Sequence, residues 1–190
     1  GGDDDRKELP IASSNTFREQ LLEQIQASTH DEHEAILAEQ LIGSIEEDGY
    51  LRRPLGAIVN DLAFAMNAST TVEELEKVLH KIQALEPAGI AARTLQECLL
   101  LQLVRKDKTL HPEVTLAIKI INDHFEDFTK KHYEKMMRQL KVKEEELKDA
   151  IHLITKLNPK PGDSGTNVKT QYIVPDFIIV ETDGILDIAL

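Results

Sequence analysis

The segment that most limits the possible folds of this chain is LEPAGIAARTLQECLLLQL, residues 85–103. From Leu95 onward, only Gln96, Glu97 and Gln102 interrupt an otherwise apolar run. A surface helix is apolar along one stripe, whereas a helix that is apolar on nearly every side is buried. We therefore predict a helix that starts soon after the Pro-Ala-Gly break and has core neighbours on most sides.

We expect this helix to lie between two helical halves of the protein, because the Pro-Ala-Gly turn reverses the chain sharply enough to bring it inside. The side chains predicted to fill that position are Leu95, Cys98, Leu99, Leu101 and Leu103. Burial of one such side chain is worth about 1.5–3 kcal/mol. An aspartate in place of Leu99 is then expected to unfold both halves together.

The composition favours a helical protein without a general affinity for polyanions. Aromatic residues make up 4% of the chain and tryptophan is absent, so the core must consist of Leu, Ile, Val and Ala. That composition suits helices better than a β-sandwich. Because the formal net charge is −12, the chain lacks the positive field that attracts nucleic acid or anionic membranes.

The cysteine count and the hydropathy predict a cytoplasmic protein. A single cysteine, Cys98, cannot form an intramolecular disulfide and fits a reducing compartment. The first eight residues, GGDDDRKE, are too charged for a signal peptide. No apolar run approaches the ~20 residues that a membrane helix needs. We expect no membrane contact.

Changes in periodicity along the chain predict four segments. An acidic flexible linker covers 1–14, a first helical subdomain 15–104, a second helical subdomain 105–157, and a Pro/Gly linker with a partial β segment 158–190. In the last of these, YIVPDFIIVETDGILDIAL reads as strand, Asp183-Gly184 turn and strand. The predicted fold class is mainly α, with two helical subdomains followed by a short C-terminal β-hairpin of a truncated chain.

Three helices can be placed from local signals. HEAILAEQLIGSIEED, at 33–48, has apolar residues at three-four spacing and is expected to stop at Gly49. A helix over 71–85 is expected to open with Thr70 and Glu73 as a capping pair. Another amphipathic helix covers 143–157 and ends at the following NPKPG, because proline lacks an amide hydrogen.

Two of these helices repeat one pattern. The stretch VEELEKVLHKIQALEP, 72–87, aligns without gaps on EEELKDAIHLITKLNP, 144–159. Each follows a short helix and a tight polar turn, which is the arrangement of a helix-turn-helix unit. Duplication and the chance likeness of two amphipathic helices with proline stops both explain the match at this point.

The charges at the starts of these two helices argue against DNA recognition by the helix-turn-helix units. A recognition helix places its first turn between phosphates, but here the first turns carry Glu73 and Glu74, and 144–146 are all glutamate. A basic cluster lies next to the second unit and comprises Lys130, Lys131, Lys135, Arg138, Lys141 and Lys143. This cluster could bind an acidic partner or a phosphate backbone, and the alternative is that it is simply a solvated face of the protein.

The motifs of catalysis and metal binding are weak in this chain. GDSG at 162–165 resembles the nucleophile loop of trypsin-like proteases, but the rest of that family's pattern is missing. His30 and His33 lack a second pair of ligands and read as exposed helix-start residues. The sequence contains neither a P-loop nor a dinucleotide-binding glycine motif. We predict a protein without catalytic residues, metal or cofactor.

Several motifs together resemble the bacterial sigma-54 (RpoN-type) factors. The opening segment is similar to that family's Leu-Asp-Pro-Ala-Gly-Val-Gly-Ala-Arg signature, which continues Glu-Cys-Leu-Leu-Leu-Gln-Leu. LNPKPG at 157–162, VPDFIIVETDG at 174–184, EEDGYL at 46–51 and TFREQLLEQI at 16–25 resemble further family segments. The resemblance covers about 16–190. It implies a fragment that binds core RNA polymerase for activator-dependent transcription initiation.

The resemblance also implies which residues matter and which partners are involved. The family signature, structural or polymerase-binding, falls on Leu85, Pro87, Ala88, Gly89, Arg93, Leu95, Glu97, Cys98, Gln102, Pro159, Pro161 and Gly162. The basic cluster is a possible polyanion or polymerase contact. Promoter DNA would be bound through the full-length factor, and an AAA-type activator through an N-terminal segment that this chain lacks.

Departures from the family pattern are few. Ala91 stands where glycine is usual, and alanine should restrict the backbone there to ordinary helical or extended angles. Arg93 precedes the helix and is expected to bind a specific anion or carbonyl, or to form a surface ion pair. The competing functional readings are a direct DNA-binding helix-turn-helix regulator, disfavoured by the glutamates, and a helical enzyme, supported only by GDSG.

Overall fold

The computed structural model describes residues 17–163, and this part of the chain is mainly helical, as predicted. Its helices are α1 (17–28), α2 (Glu32–Gly43), α3 (Leu55–Ala65), α4 (Val72–Gln83), α5 (Leu95–Leu103), α6 (Val114–Asp123), α7 (Phe125–Thr129), α8 (Tyr133–Leu140) and α9 (Glu144–Thr155). The predicted acidic linker at 1–14 and the predicted β-hairpin lie outside the described residues. Within those residues, every helix is too short or too polar to cross a membrane.

The described chain divides into two compact units. The first unit contains 17–94 together with 160–163, and the second unit contains Leu95–Pro159. The sequence had placed α5 in the first subdomain, 15–104. The structure groups it with the second unit because α5 packs against α6.

The first unit is built from α1 to α4 around one apolar cluster. Its fully buried large side chains are Leu21, Ile25, Leu37, Leu41, Ile42, Ile45, Leu51, Ile58, Leu62, Leu75, Ile82 and Ile90. Helix α4 begins one residue later than predicted: Thr71, rather than Thr70, accepts a hydrogen bond of 3.1 Å from the amide of Glu74. Thr70 instead donates to the Glu74 carboxylate at 2.6 Å.

Helix α2 ends earlier than the sequence predicted. It stops at Gly43, and the backbone amide of Ser44 and the Ser44 hydroxyl both donate to the carbonyl of Gln40. The Ser44 amide makes the last i→i−4 bond, and the next amide, that of Ile45, instead donates to the carbonyl of Ile42 at 3.2 Å, a tighter i→i−3 bond of the kind that closes a helix. Gly49 therefore belongs to a separate turn and does not end α2.

The second unit is built from α5 to α9 around its own apolar cluster. Every residue of α5 is buried or partly buried, and Cys98, Leu99, Gln102 and Leu103 are its buried residues. Leu99 and Leu103 pack in the cluster with side chains from α6, α8 and α9. Of the five side chains predicted to be buried, Cys98, Leu99 and Leu103 are buried, and Leu95 and Leu101 are half-buried. Its position between two halves stays a prediction.

Tyr133 is a polar residue in this second core. Its side chain is 3% exposed, and its hydroxyl has no hydrogen-bond partner among residues 17–163. Burial raises the pKa of the phenol to about 12. A buried hydroxyl without a partner costs stability, on the order of 1–3 kcal/mol.

We therefore expect Tyr133→Phe to raise the free energy of unfolding, by about 1 kcal/mol at pH 7. The pKa of Tyr133 is raised above the ordinary value of 10.0 to about 12, so the folded protein holds the phenolic proton more tightly than the unfolded chain does. Stability linked to Tyr133 is then lost as the pH rises from 10 toward 12. Urea unfolding of both proteins at pH 7 and pH 11 checks this; a variant less stable at both values contradicts it.

Candidate functional site

Three of the family-like segments meet at one turn in the first unit. The turn comprises Asp48 to Leu51, and Tyr50 forms an isolated parallel β-bridge with Ala92. The amide of Leu51 donates to the carbonyl of Ala92 at 2.9 Å, and the amide of Ala91 donates to the carbonyl of Gly49 at 2.8 Å. On the same turn, the amide of Gly162 donates to the carbonyl of Asp48 at 3.0 Å. We call this arrangement the signature junction.

Two glycines allow the backbones to approach at the signature junction. Gly49 has a φ of +95°, in the left-handed region. A Cβ on Gly49 would lie 2.4 Å from the backbone nitrogen of Gly162 and 2.9 Å from the Pro161 ring. A Cβ on Gly162 would lie 2.3 Å from the carbonyl oxygen of Glu47. Neither position has room for a side chain, which gives a physical reason for glycine in both EEDGYL and NPKPG.

Ala91 departs from its predicted conformation. Its φ is +65°, in the left-handed region, so the expectation of ordinary helical or extended angles is wrong. Both of its backbone polar groups are fixed: its amide bonds Gly49, and its carbonyl accepts 3.0 Å from the side-chain amide of buried Gln83. These bonds and full burial hold a conformation that costs an alanine about 1–2 kcal/mol.

Charged side chains surround the outer side of the turn. Arg52 donates to both carboxylate oxygens of Asp48, at 3.1 and 2.9 Å, and to Glu46 at 2.7 Å. Its guanidinium also lies over the Tyr50 ring, 4.7 Å from the centroid. Partial burial raises the pKa of the Asp48 carboxyl, but hydrogen bonds from Arg52 and from the Tyr50 amide outweigh burial and leave that pKa below its usual value.

The remaining signature residues of the first unit are mostly covered. Gly89 is buried with a φ of +89°, and Leu85, Pro87 and Ala88 are half-buried. Arg93 donates to the carbonyl of Arg53 at 3.3 Å, and a carbonyl was one of the kinds of partner expected for it from the sequence. These residues shape the loop that carries Ala91 and Ala92 to the signature junction.

The signature residues of the second unit form another small group. Gln102 is buried, donates to the carbonyl of Asn158 at 2.7 Å and accepts from the amide of Asn158 at 2.8 Å. The sulfur of Cys98 lies 3.6 Å from the same carbonyl. Leu95 and Glu97 are half-buried and Pro159 is buried. The glutamine thus fixes the residue that precedes Pro159.

The basic cluster is largely exposed, but only part of it is neutralised. Lys130 pairs with Glu126 at 3.6 Å, and Lys135 pairs with Asp127 at 3.4 Å. Among residues 17–163, the structure shows no ion pair for the other four members, Lys131, Arg138, Lys141 and Lys143. The last three lie on the end of α8 and the turn to α9.

The histidines and the GDSG segment are the only metal-binding or catalytic fragments that the sequence analysis weighed. His33 lies 3.2 Å from the carboxylate of Glu74. Within residues 17–163, no group of three or more His, Cys, Asp or Glu side chains is arranged to hold a metal ion. Of the GDSG segment, Gly162 packs in the signature junction, and Ser164 and Gly165 lie outside the described residues.

Sequence reasoning missed three residues that build the signature junction. Gly49 was read as a helix stop, while Arg52 and Gln83 were not singled out at all. The motif EEDGYL did locate the turn, but nothing in its residues indicates that the turn bonds residues 91–92 and Gly162. A glutamine in the last turn of an amphipathic helix, such as Gln83, carries no signal of burial.

Comparison with known proteins agrees with the family resemblance of the motifs. Residues 8–190 match the family model described as "Sigma-54 factor, core binding domain". The chain is 36% identical over 179 residues to the RNA polymerase sigma-54 factor of Pseudomonas aeruginosa and 32% identical over 180 residues to that of Escherichia coli. Each alignment covers 93% of this chain but only 35% and 37% of the relatives, so the chain spans about a third of their length.

The matched range takes in all three segments of the signature junction and the whole of both units in the described residues. The chain therefore belongs to the family of sigma-54 factor core binding domains.

Proposed function

We propose that this chain binds core RNA polymerase and acts by docking, without chemistry of its own. The observation that carries the proposal is the match of residues 8–190 to the core binding domain of sigma-54 factors. The three backbone hydrogen bonds of the signature junction support it, since a docking module needs surfaces held in fixed positions. A cytoplasmic location follows from the proposed partner.

Size-exclusion chromatography with purified bacterial core polymerase tests this function directly. We expect the chain to co-elute with the polymerase at low micromolar concentration. Elution of the two proteins in separate peaks at that concentration would contradict the proposal. Promoter DNA and an AAA-type activator are proposed as partners of a full-length factor, through segments other than the core binding domain.

We further propose that the exposed end of the basic cluster contacts an acidic surface of the polymerase. This end of the cluster exposes Arg138, Lys141 and Lys143. The chain as a whole has a net charge of −12, so the overall composition does not account for a positive surface here. Complementary charge at an interface speeds association and fixes the partner. The neighbouring face of α9 exposes Glu145, Glu146 and Asp149.

Those carboxylates distinguish this proposal from direct DNA binding. In a helix-turn-helix, α9 would enter the major groove, where its first turn would meet phosphates on both sides. A duplex presents one negative charge per about 1.7 Å of axis. Any duplex that contacts Lys143 would therefore bring phosphates close to the neighbouring glutamates, which repel them. A discrete acidic patch on a protein can contact the end of α8 alone, and we therefore favour a protein partner.

A double charge reversal tests the contact. We expect Arg138→Glu with Lys143→Glu to weaken polymerase binding roughly tenfold at low salt, with a smaller loss at high salt because exposed charges are screened. Biolayer interferometry at two salt concentrations measures both effects. Lys77→Glu with Lys108→Glu is the matched control, since both lysines are exposed and the charge change is the same. Equal affinities for the two double variants would mean that the cluster is a solvated face.

A parallel measurement addresses the DNA-binding alternative. A labelled random duplex, titrated with the wild-type chain, is expected to show weak binding. Tight, salt-sensitive binding that Arg138→Glu with Lys143→Glu abolishes, without any effect on polymerase binding, would favour the DNA-binding function.

A further inference from the structure

The first helices of the two units share a sequence pattern. TFREQLLEQI at 16–25 and TLQECLLLQL at 94–103 are identical at five of ten positions, and the last identity is the glutamine pair Gln24 and Gln102. The following residues, Ile25 and Leu103, are both buried. Leu21 and Leu99, three residues before each glutamine, are both buried as well.

The second helices agree in burial from Ala38 and Ala117 onward. The stretch Leu37-Ala38 of α2 corresponds to Leu116-Ala117 of α6 when the chain is shifted by 79 residues. With the same shift, each buried residue after this pair in α2 has a buried counterpart in α6; the pairs are Leu41 with Ile120 and Ile42 with Ile121. In the first unit α2 packs against α4, and in the second unit α6 packs against α9.

The last helices agree in length, ends and burial. Helices α4 and α9 have 12 residues each, and both ends are offset by 72. Every buried residue of α4 has a buried counterpart in α9; the pairs are Leu75 with Leu147, Val78 with Ala150, Leu79 with Ile151, Ile82 with Ile154 and Gln83 with Thr155. The C-cap residues have nearly the same angles, φ −84° and ψ −7° at Ala84 and φ −85° and ψ −6° at Lys156.

The two units also share one unusual polar contact. The side-chain amide of Gln24 donates to the carbonyl of Glu86 at 2.7 Å and accepts from the amide of Glu86 at 2.9 Å. Gln102 makes the same two bonds to Asn158, at 2.7 and 2.8 Å. In each case the clamped residue precedes a proline, Pro87 or Pro159. Chance likeness of amphipathic helices does not explain a matched pair of side-chain contacts.

We propose that 17–87 and 95–159 are two copies of one helical folding unit, in which Gln24 and Gln102 are equivalent positioning residues. Each glutamine joins the first helix of its copy to the residue before the terminal proline, and so fixes where the following segment starts. In the first copy that segment is the loop to Ala91 and Ala92. In the second copy it is the KPG segment.

The copies differ where the chain can vary without loss of the core. Helix α7 lies between α6 and α8 only in the second copy, and the connection before α4 is longer than the connection before α9. The Glu86–Pro87 peptide bond is cis. The third helices also differ, because α3 has 11 residues and exposes Phe64, whereas α8 has 8 residues and exposes Arg138.

Amide hydrogen exchange on the full chain tests the two clamps. Gln24→Met and Gln102→Met keep most of the side-chain volume but remove both hydrogen bonds. We expect the Glu86 amide in the first variant, and the Asn158 amide in the second, to exchange at least tenfold faster than in the wild type. Gln24→Glu and Gln102→Glu keep the acceptor and lose the donor to the carbonyl, so an intermediate rate is expected.

The controls separate positioning from general destabilisation. Gln26→Met and Gln139→Met replace exposed glutamines in the first and second units and should leave both amides unchanged. Similar fold-changes at the two clamps, graded from glutamate to methionine, support the duplicated unit. A response at one clamp only, or methionine variants that exchange like the wild type, would overturn it. If a methionine variant fails to fold, the glutamate variant of the same site decides the outcome. None of these measurements requires polymerase, so they fail independently of the proposed function.

Discussion

Replacement of Gly162 by alanine is expected to detach residues 160–163 from the turn at Asp48. The new Cβ would lie 2.3 Å from the carbonyl oxygen of Glu47 and 2.5 Å from the amide nitrogen of Gly49, and both are backbone atoms. A rotamer change cannot relieve this contact, so the segment must move and the hydrogen bond from Gly162 to Asp48 must break. We expect the first unit to lose about 2–4 kcal/mol of stability.

Hydrogen exchange of the Gly162 amide measures the loss of its hydrogen bond to Asp48. Thermal unfolding measures the loss of stability. Gly56→Ala is the matched control, because a Cβ on Gly56 meets nothing within 4 Å. Since Gly56 lies inside α3, that control should be neutral or stabilising by up to about 1 kcal/mol. If Gly162→Ala unfolds at the wild-type temperature with an unchanged Gly162 amide, then the close approach at the signature junction is not a constraint.

Leu99→Asp is expected to unfold the second unit. Leu99 is 2% exposed in the apolar cluster of that unit, and an aspartate there would bury a charge or force its protonation. Loss of the leucine contacts adds to this cost, and the total should reach about 4 kcal/mol or more. Leu110→Asp is the matched control, since Leu110 is 73% exposed and the chemical change is the same.

Hydrogen exchange read separately from peptides of the two units gives the outcome. Collapse of protection throughout 95–159 is expected, with little change in the Leu110 variant. Protection of the first unit then tests the sequence prediction that α5 lies between two halves. Simultaneous loss in both units supports that prediction, whereas a first unit that keeps its protection contradicts it.

The helices with the most regular apolar stripes were predictable from the sequence. The expected helix at 143–157 is found at Glu144–Thr155, and the one at 71–85 is found at Val72–Gln83. Local spacing suffices here because the buried residues recur every three or four positions and proline stops each helix. The end of α2 was not predictable in this way, because the apolar spacing continues past Gly43 to Ile45 while the chain already turns.

The candidate site was predictable as a set of motifs but not as a structure. Resemblance located Gly162 and the segment around Ala91, yet the positive φ of Ala91 follows from hydrogen bonds to Gly49 and Gln83, which are 42 and 8 residues away. Contacts over such separations leave no periodic pattern in the sequence. The paired glutamines are an intermediate case, because their sequence pattern is visible but its meaning requires the bonds to Glu86 and Asn158.

The order of the units along the chain has a consequence for biosynthesis. The first unit ends its main part at Thr94 and resumes at Lys160, so the amide that bonds Asp48 is made after all of 95–159. At about 5–20 residues per second, translation of the intervening 65 residues takes roughly 3–13 s. During that time the N-terminal helices can pair on the ribosome while the turn at Gly49 lacks one of its neighbours. Nascent chains arrested before residue 160 should therefore be more sensitive to proteases at this turn than released chains are.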